Sequence, residues 1–157
     1  MRDRSEKRFD FWQKWLLYSS LLFAVFGITL AVYGDAALFR PYISLLARTF
    51  WQQETFPPGA DAFRALASGP LGGTIACAYI LLAFLAAHPF KKRERWARNA
   101  IIFAFGIWFI LDTAVCLYYQ IWIQALGINL FSFLQKALPL AFTWNDFKHP
   151  PAPHVNQ

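Results

Sequence analysis

Between Ile101 and Tyr119 the chain reads IIFAFGIWFILDTAVCLYY, an apolar run of membrane-spanning length with one carboxylate, Asp112, well inside it. An ionisable group at that depth must face other helices or a polar cavity, because hydrocarbon offers it no partner. Three comparable runs stand in the same chain, so the four spans are expected at about residues 11–33, 69–90, 97–119 and 123–144. About 20 apolar residues cross a bilayer as a helix. The expected fold is therefore all-α, an integral membrane four-helix bundle forming a single transmembrane domain over residues 1–157. Its interior is arranged about Asp112.

Composition narrows the functions open to such a chain. Only 15% of the residues are charged and 57% are hydrophobic, whereas charged residues alone make up about a quarter of a soluble domain. The net charge of +6 sits at the ends of apolar segments, as at the margins of a bilayer, and not on an exposed basic face that would grip nucleic acid. Cys77 and Cys116 lie within apolar runs, where a thiol behaves as a small hydrophobe. Neither disulfide framework nor metal-ligand spacing is present, and no cofactor is called for. His88 stands at a membrane boundary beside Pro89, and His149 and His154 fall in a proline-rich tail.

Along the chain, MRDRSEKRFD precedes the first span, which is expected to be retained as a membrane helix since its run is too long for a signal peptide. The first connection is the long one, reaching to about Ser68. Within it, residues 41–53 place Ser44, Arg48 and Gln52 on one side and Tyr42, Leu45, Leu46, Phe50 and Trp51 largely on the other, after a proline suited to a helix start. This predicts an amphipathic helix on the membrane surface or capping the bundle. Pro57-Pro58-Gly59 breaks the chain, and Asp61 to Leu66 form one further helical turn. In the second span, Gly69-x3-Gly73 with Cys77 makes one small-residue stripe and Gly72 with Ala76 the next; such stripes let helix backbones approach. Packing inside the bundle is favoured over dimerisation. Basic residues cluster at the N-terminus and in Lys91 to Arg98, so the positive-inside rule puts both termini in the cytoplasm and the first connection outside.

The stretch HPFKKRERWARNAI from His88, followed by Trp108-Phe109-x2-Asp112-Thr113 and Tyr118-Tyr119, resembles a family of small uncharacterised four-span bacterial inner-membrane proteins. The resemblance runs from Gly72 to Thr143. It implies four helices and the bacterial inner membrane, and it carries no activity. This chain departs from the pattern at Cys116 and Gln120, where a small hydroxyl residue and a glycine are expected.

Counting about 1.5 Å per residue from Arg98 places Asp112 roughly 21 Å from the cytoplasmic edge, in the outer half of the hydrocarbon. Thr29, Thr74, Thr113 and Asn129 fall near the same level and are expected to form one polar layer with it. Lys136 lies about 12 Å from the cytoplasmic edge on the same count, about 9 Å below Asp112, and snorkelling or a serine contact is favoured over an ion pair with Asp112. Lys91, Lys92, Arg93, Arg95 and Arg98 are expected at lipid headgroups. No catalytic pair, metal cluster or phosphate loop stands out. The leading expectation is a non-catalytic membrane protein that binds a lipid-like or hydrophobic ligand, or serves as an accessory subunit of a membrane complex. Its partners would be membrane lipids and other membrane subunits. The alternative is a membrane enzyme, such as an isomerase of apolar substrates, or a proton-coupled carrier, using Asp112.

Overall fold

The computed structural model describes residues 2–148, with side chains from Arg4 onward. All regular elements among the described residues are helical: α1 (Arg2–Tyr33), α2 (Arg40–Trp51), α3 (Pro58–Leu85), α4 (Arg95–Tyr118) and α5 (Leu130–Phe142). A π turn, Ala86–Phe90, prolongs α3, a second one, Ile123–Asn129, leads into α5, and short 3-10 turns cover Ala37–Phe39 and Trp144–Phe147. Four stretches are long and apolar enough to cross a membrane: Arg4–Tyr33, Pro58–Phe90, Arg95–Tyr118 and Ile123–Phe142. The proline-rich tail with His149 and His154 lies outside the described residues.

The amphipathic helix of the first connection is present as α2, opened by Pro41 and closed by Gln52 in the left-handed region (φ 54°). Two helices exceed their expected lengths. α1 reaches back to Arg2, and its early turns are held by Phe9, which is buried against Phe90 and Phe147 with ring centroids at 5.9 and 6.1 Å. α3 begins at Pro58 and not near residue 69. Proline fits a first turn, four alanines between Ala60 and Ala67 are strong helix formers, and Arg64 pairs with Asp61 one turn back at 2.9 Å. The separate turn expected at Asp61 to Leu66 is therefore part of one continuous helix, and the long connection ends at Pro57.

The chain groups into two compact units, one made of residues up to Ser19 and from Leu82 on, the other of Ser20–Leu81. In the second, α1 and α3 meet backbone to backbone. A methyl group added at Gly27 would lie 2.6 Å from the Ala76 nitrogen and 2.8 Å from the Gly72 carbonyl oxygen, and one added at Gly72 would lie 2.5 Å from the Gly27 oxygen. Phe23 stacks on Tyr79 at 4.8 Å and Phe26 packs edge-on to Phe39 at 5.6 Å. Arg64 also bonds Asp35. The stripe expected to pack, Gly69-x3-Gly73, is open, with nothing within 4 Å of a Cβ at either position, and Cys77 is exposed. The contact belongs to the neighbouring stripe, Gly72 and Ala76.

The first unit holds the early turns of α1, the end of α3, α4 and α5. Two of its turns close in the same way. At the end of α4, Gln120 is left-handed (φ 60°), its N–H donates to the Leu117 carbonyl at 3.1 Å, and the Ile121 N–H donates to the Cys116 carbonyl at 2.8 Å. After the first π turn, Arg93 (φ 60°) donates from its N–H to the Phe90 carbonyl at 2.8 Å and Glu94 to the Pro89 carbonyl at 3.0 Å. This paired closure satisfies the last carbonyls of a helix and favours glycine at the left-handed position.

Candidate functional site

The chemistry of the first unit is concentrated on α5 and the π turn before it. Ala125, Asn129, Ser132, Lys136, Pro139 and Thr143 recur at spacings of four and three and are all buried, while Leu126, Phe131, Leu134, Leu138 and Phe142 are exposed. The helix is thus polar inward and apolar outward, the arrangement hydrocarbon favours for a span that carries polar groups. The wide turn at Ile123–Asn129 brings both Ala125 and Asn129 to the inner face before α-helical geometry resumes.

At the upper end of this seam Asn129, 1% exposed, donates from Nδ2 to Thr113 Oγ1 at 3.3 Å and to Cys116 Sγ at 3.9 Å. The Cys116 thiol in turn donates to Asp112 Oδ2 at 3.9 Å. Asp112 itself is only partly buried. Among the described residues this thiol is its one hydrogen-bond partner, and a thiol is a weak donor.

Lys136, also 1% exposed, lies lower on the same seam. Its ammonium donates to the Ser132 carbonyl at 2.6 Å and to Ser132 Oγ at 2.9 Å, and lies over the rings of Phe105 at 4.5 Å and Trp108 at 5.5 Å. It is held inside the protein and does not snorkel to an edge. Beside it, Gln135 Nε2 donates to Ser19 Oγ, which donates to the Trp15 carbonyl at 2.5 Å. The Trp15 indole N–H donates to the Gln135 carbonyl at 3.3 Å, and Gln13 Nε2 to the Ala86 carbonyl at 3.0 Å. Gln135 Oε1 is buried without a hydrogen-bond partner among the described residues.

The structure therefore brings Asp112, Thr113 and Asn129 together, with Cys116 between them. Thr29 and Thr74 instead return their hydroxyls to their own helices, to the Val25 carbonyl at 2.9 Å and the Pro70 carbonyl at 2.8 Å. Within the first unit the expected polar layer is present as a local α4–α5 cluster of Asp112, Thr113 and Asn129, and Thr29 and Thr74 belong to the other unit. Cys116, Ser132 and Gln135 escaped the sequence reading; the four-three spacing through Asn129, Ser132 and Lys136 is the signal that would have found Ser132.

The basic cluster divides as well. Lys91 and Lys92 are exposed. Arg93 is buried, its guanidinium 2.5 Å from Glu6 and 4.4 Å from the centre of the Phe9 ring. Arg95 donates to the Phe147 and Lys148 carbonyls at 2.9 and 3.0 Å, and Arg98 lies over Trp144 at 4.0 Å. The expectation that all five meet headgroups is corrected for Arg93, whose charge is turned inward to a carboxylate. Arg8 and Ser5 reach Asp146 at 3.4 and 3.2 Å, tying α1 to the 3-10 turn after α5.

No protein-family model, no curated protein and no solved structure matches this chain. Among the described residues no group of three or more His, Cys, Asp or Glu side chains could hold a metal ion. Around Asp112 the neighbours are a hydroxyl, a thiol and an amide, groups that orient and hold a hydrogen-bonding partner.

Proposed function

We propose that this protein is a non-catalytic, multi-pass protein of the bacterial inner membrane, an accessory subunit that docks a partner on the α4 face bearing Asp112. The single observation that supports this reading most is the state of that carboxylate. It stands partly exposed within a span, with the Cys116 thiol as its one hydrogen-bond partner among the described residues, and an intramembrane acid calls for a donor or a counter-ion. Among the described residues α4 is also the least covered of the four candidate spans, with 11% of its most apolar stretch buried against 22, 33 and 39% in the others.

In this reading both termini and the Lys91–Lys92 turn face the cytoplasm, as the positive-inside rule favours, and α2 lies at the outer surface. The test is purification of the tagged protein in native lipid, followed by native mass spectrometry of the intact particle. The expected result is a stoichiometric second membrane protein that is lost from Asp112→Asn. Recovery of the chain alone with full stability, or a partner indifferent to Asp112, overturns the reading. Fusions reporting opposite sides for the two termini overturn the orientation.

A further inference from the structure

Resting on the docking reading, we infer the chemistry of what α4 receives: a membrane-spanning helix of a partner protein that presents one lysine or arginine at the level of Asp112. The groups around the carboxylate are engaged elsewhere. Asn129 Nδ2 is committed to Thr113 and Cys116. Lys136, the cation of α5, is anchored on Ser132 and on the Phe105 and Trp108 rings. The remaining neighbours on the outward face of α4, Ile107, Ile110, Leu111 and Val115, are exposed and apolar, so they accept a helix or acyl chains and supply no donor.

Acyl chains leave the acid unanswered. An anionic headgroup would repel it, and on the count from Arg98 the group sits roughly 9 Å below the outer margin of a hydrocarbon layer of about 30 Å. A long basic side chain from a neighbouring helix covers that distance along its own apolar stem. Paired charges of opposite sign are how membrane interiors accommodate such residues. The exposed apolar positions on either side of Asp112 would then make the helix contact, with the charge pair fixing depth and rotation.

The full-length protein, carrying a fluorophore on an N-terminal tag, is reconstituted in phosphatidylcholine vesicles with synthetic leucine-alanine helices. One helix bears a single lysine placed to match Asp112, and its control bears leucine there. The expected result is energy transfer to the lysine helix at least ten-fold stronger than to the control, with the difference abolished in both Asp112→Asn and Asp112→Leu. Equal association of both helices overturns the charge pairing while leaving docking on α4 intact. No association of the lysine helix, or association unaffected by the Asp112 variants, overturns it too. Displacement of the lysine helix by phosphatidylethanolamine would assign the carboxylate to a lipid amine and likewise overturn a helical occupant. Loss of the native partner in the purification described above is read separately and bears on docking alone.

Discussion

The indole N–H of Trp15 donates to the main-chain carbonyl of Gln135 at 3.3 Å, and that carbonyl is free because the residue four positions on is Pro139. Proline removes the helical N–H that would have bonded it, and α1 supplies the missing donor from outside the helix. Trp15→Phe should therefore destabilise the protein by about 1–2 kcal/mol, read as unfolding by steric trapping in bicelles. In a Pro139→Ala background, where the helix can bond its own carbonyl, the same change should have a clearly smaller effect. An equal loss in both backgrounds would refute the pairing.

The approach of α1 and α3 rests on two glycines that the chain separates widely. Gly27→Ala or Gly72→Ala would drive a methyl into backbone atoms closer than van der Waals contact, which shifts helices and costs about 1–3 kcal/mol. Gly69→Ala and Gly73→Ala meet nothing within 4 Å and should leave stability unchanged or raise it through helix propensity. Thermal melting of the four variants in the same detergent separates the pairs. Loss of stability at Gly73 comparable to that at Gly72 would refute this assignment.

That contrast marks what could be read from sequence. Apolar length marked the four long helices, because a long apolar run is a local property of the sequence, and the four-residue spacing after Pro41 marked α2. The choice between the Gly69 and Gly72 stripes depends on which face of α3 meets α1, and no periodicity within α3 carries that information. Likewise Asp112 was visible as an acid in an apolar run, but its partner Cys116, a residue type that usually packs as a hydrophobe, gave no polar signal. Arg93 shared its composition with Lys91 and Lys92. Its inward turn follows from a left-handed backbone at φ 60° and from Glu6, far away in sequence.

Lys91 and Lys92 should consequently act differently from Arg93. Removing both lysines should leave melting unchanged and weaken selection of phosphatidylglycerol over phosphatidylcholine among the lipids retained by the protein in nanodiscs, by about 1 kcal/mol for each basic residue near the surface. Arg93→Ala leaves Glu6 and the Phe9 ring without their cation. It should lower thermal stability with little change in the retained lipids. A loss of phosphatidylglycerol in Arg93→Ala as large as that of the double lysine variant would argue for an outward role.

Lys136 is held by Ser132 through both the side chain and the carbonyl. Ser132→Ala removes one acceptor from a buried ammonium and should destabilise by about 1–3 kcal/mol. Lys136→Met keeps the volume and removes the charge, and replacement of a buried ion by an apolar residue of similar size is often neutral or stabilising. In the Lys136→Met background the Ser132→Ala penalty should disappear. Persistence of that penalty, measured by the same unfolding assay, would mean that Ser132 stabilises the seam for a reason unrelated to the ammonium.

The closure of α4 offers a gain. Gln120 holds a left-handed conformation while Ile121 reaches back to Cys116, a closure that favours glycine at the left-handed position. A side chain in that region costs roughly 1–2 kcal/mol that glycine avoids, offset in part by the greater freedom glycine has when unfolded. Gln120→Gly should therefore raise stability by about 0.5–1 kcal/mol. Gln120→Ala, which keeps a Cβ, should give no comparable gain, and Gln120→Val should lower stability, since a β-branched side chain is the least tolerant of positive φ. Melting of the three variants in nanodiscs checks the order Gly above Ala above Val, and any other order would mean that this turn does not hold the left-handed closure in the membrane.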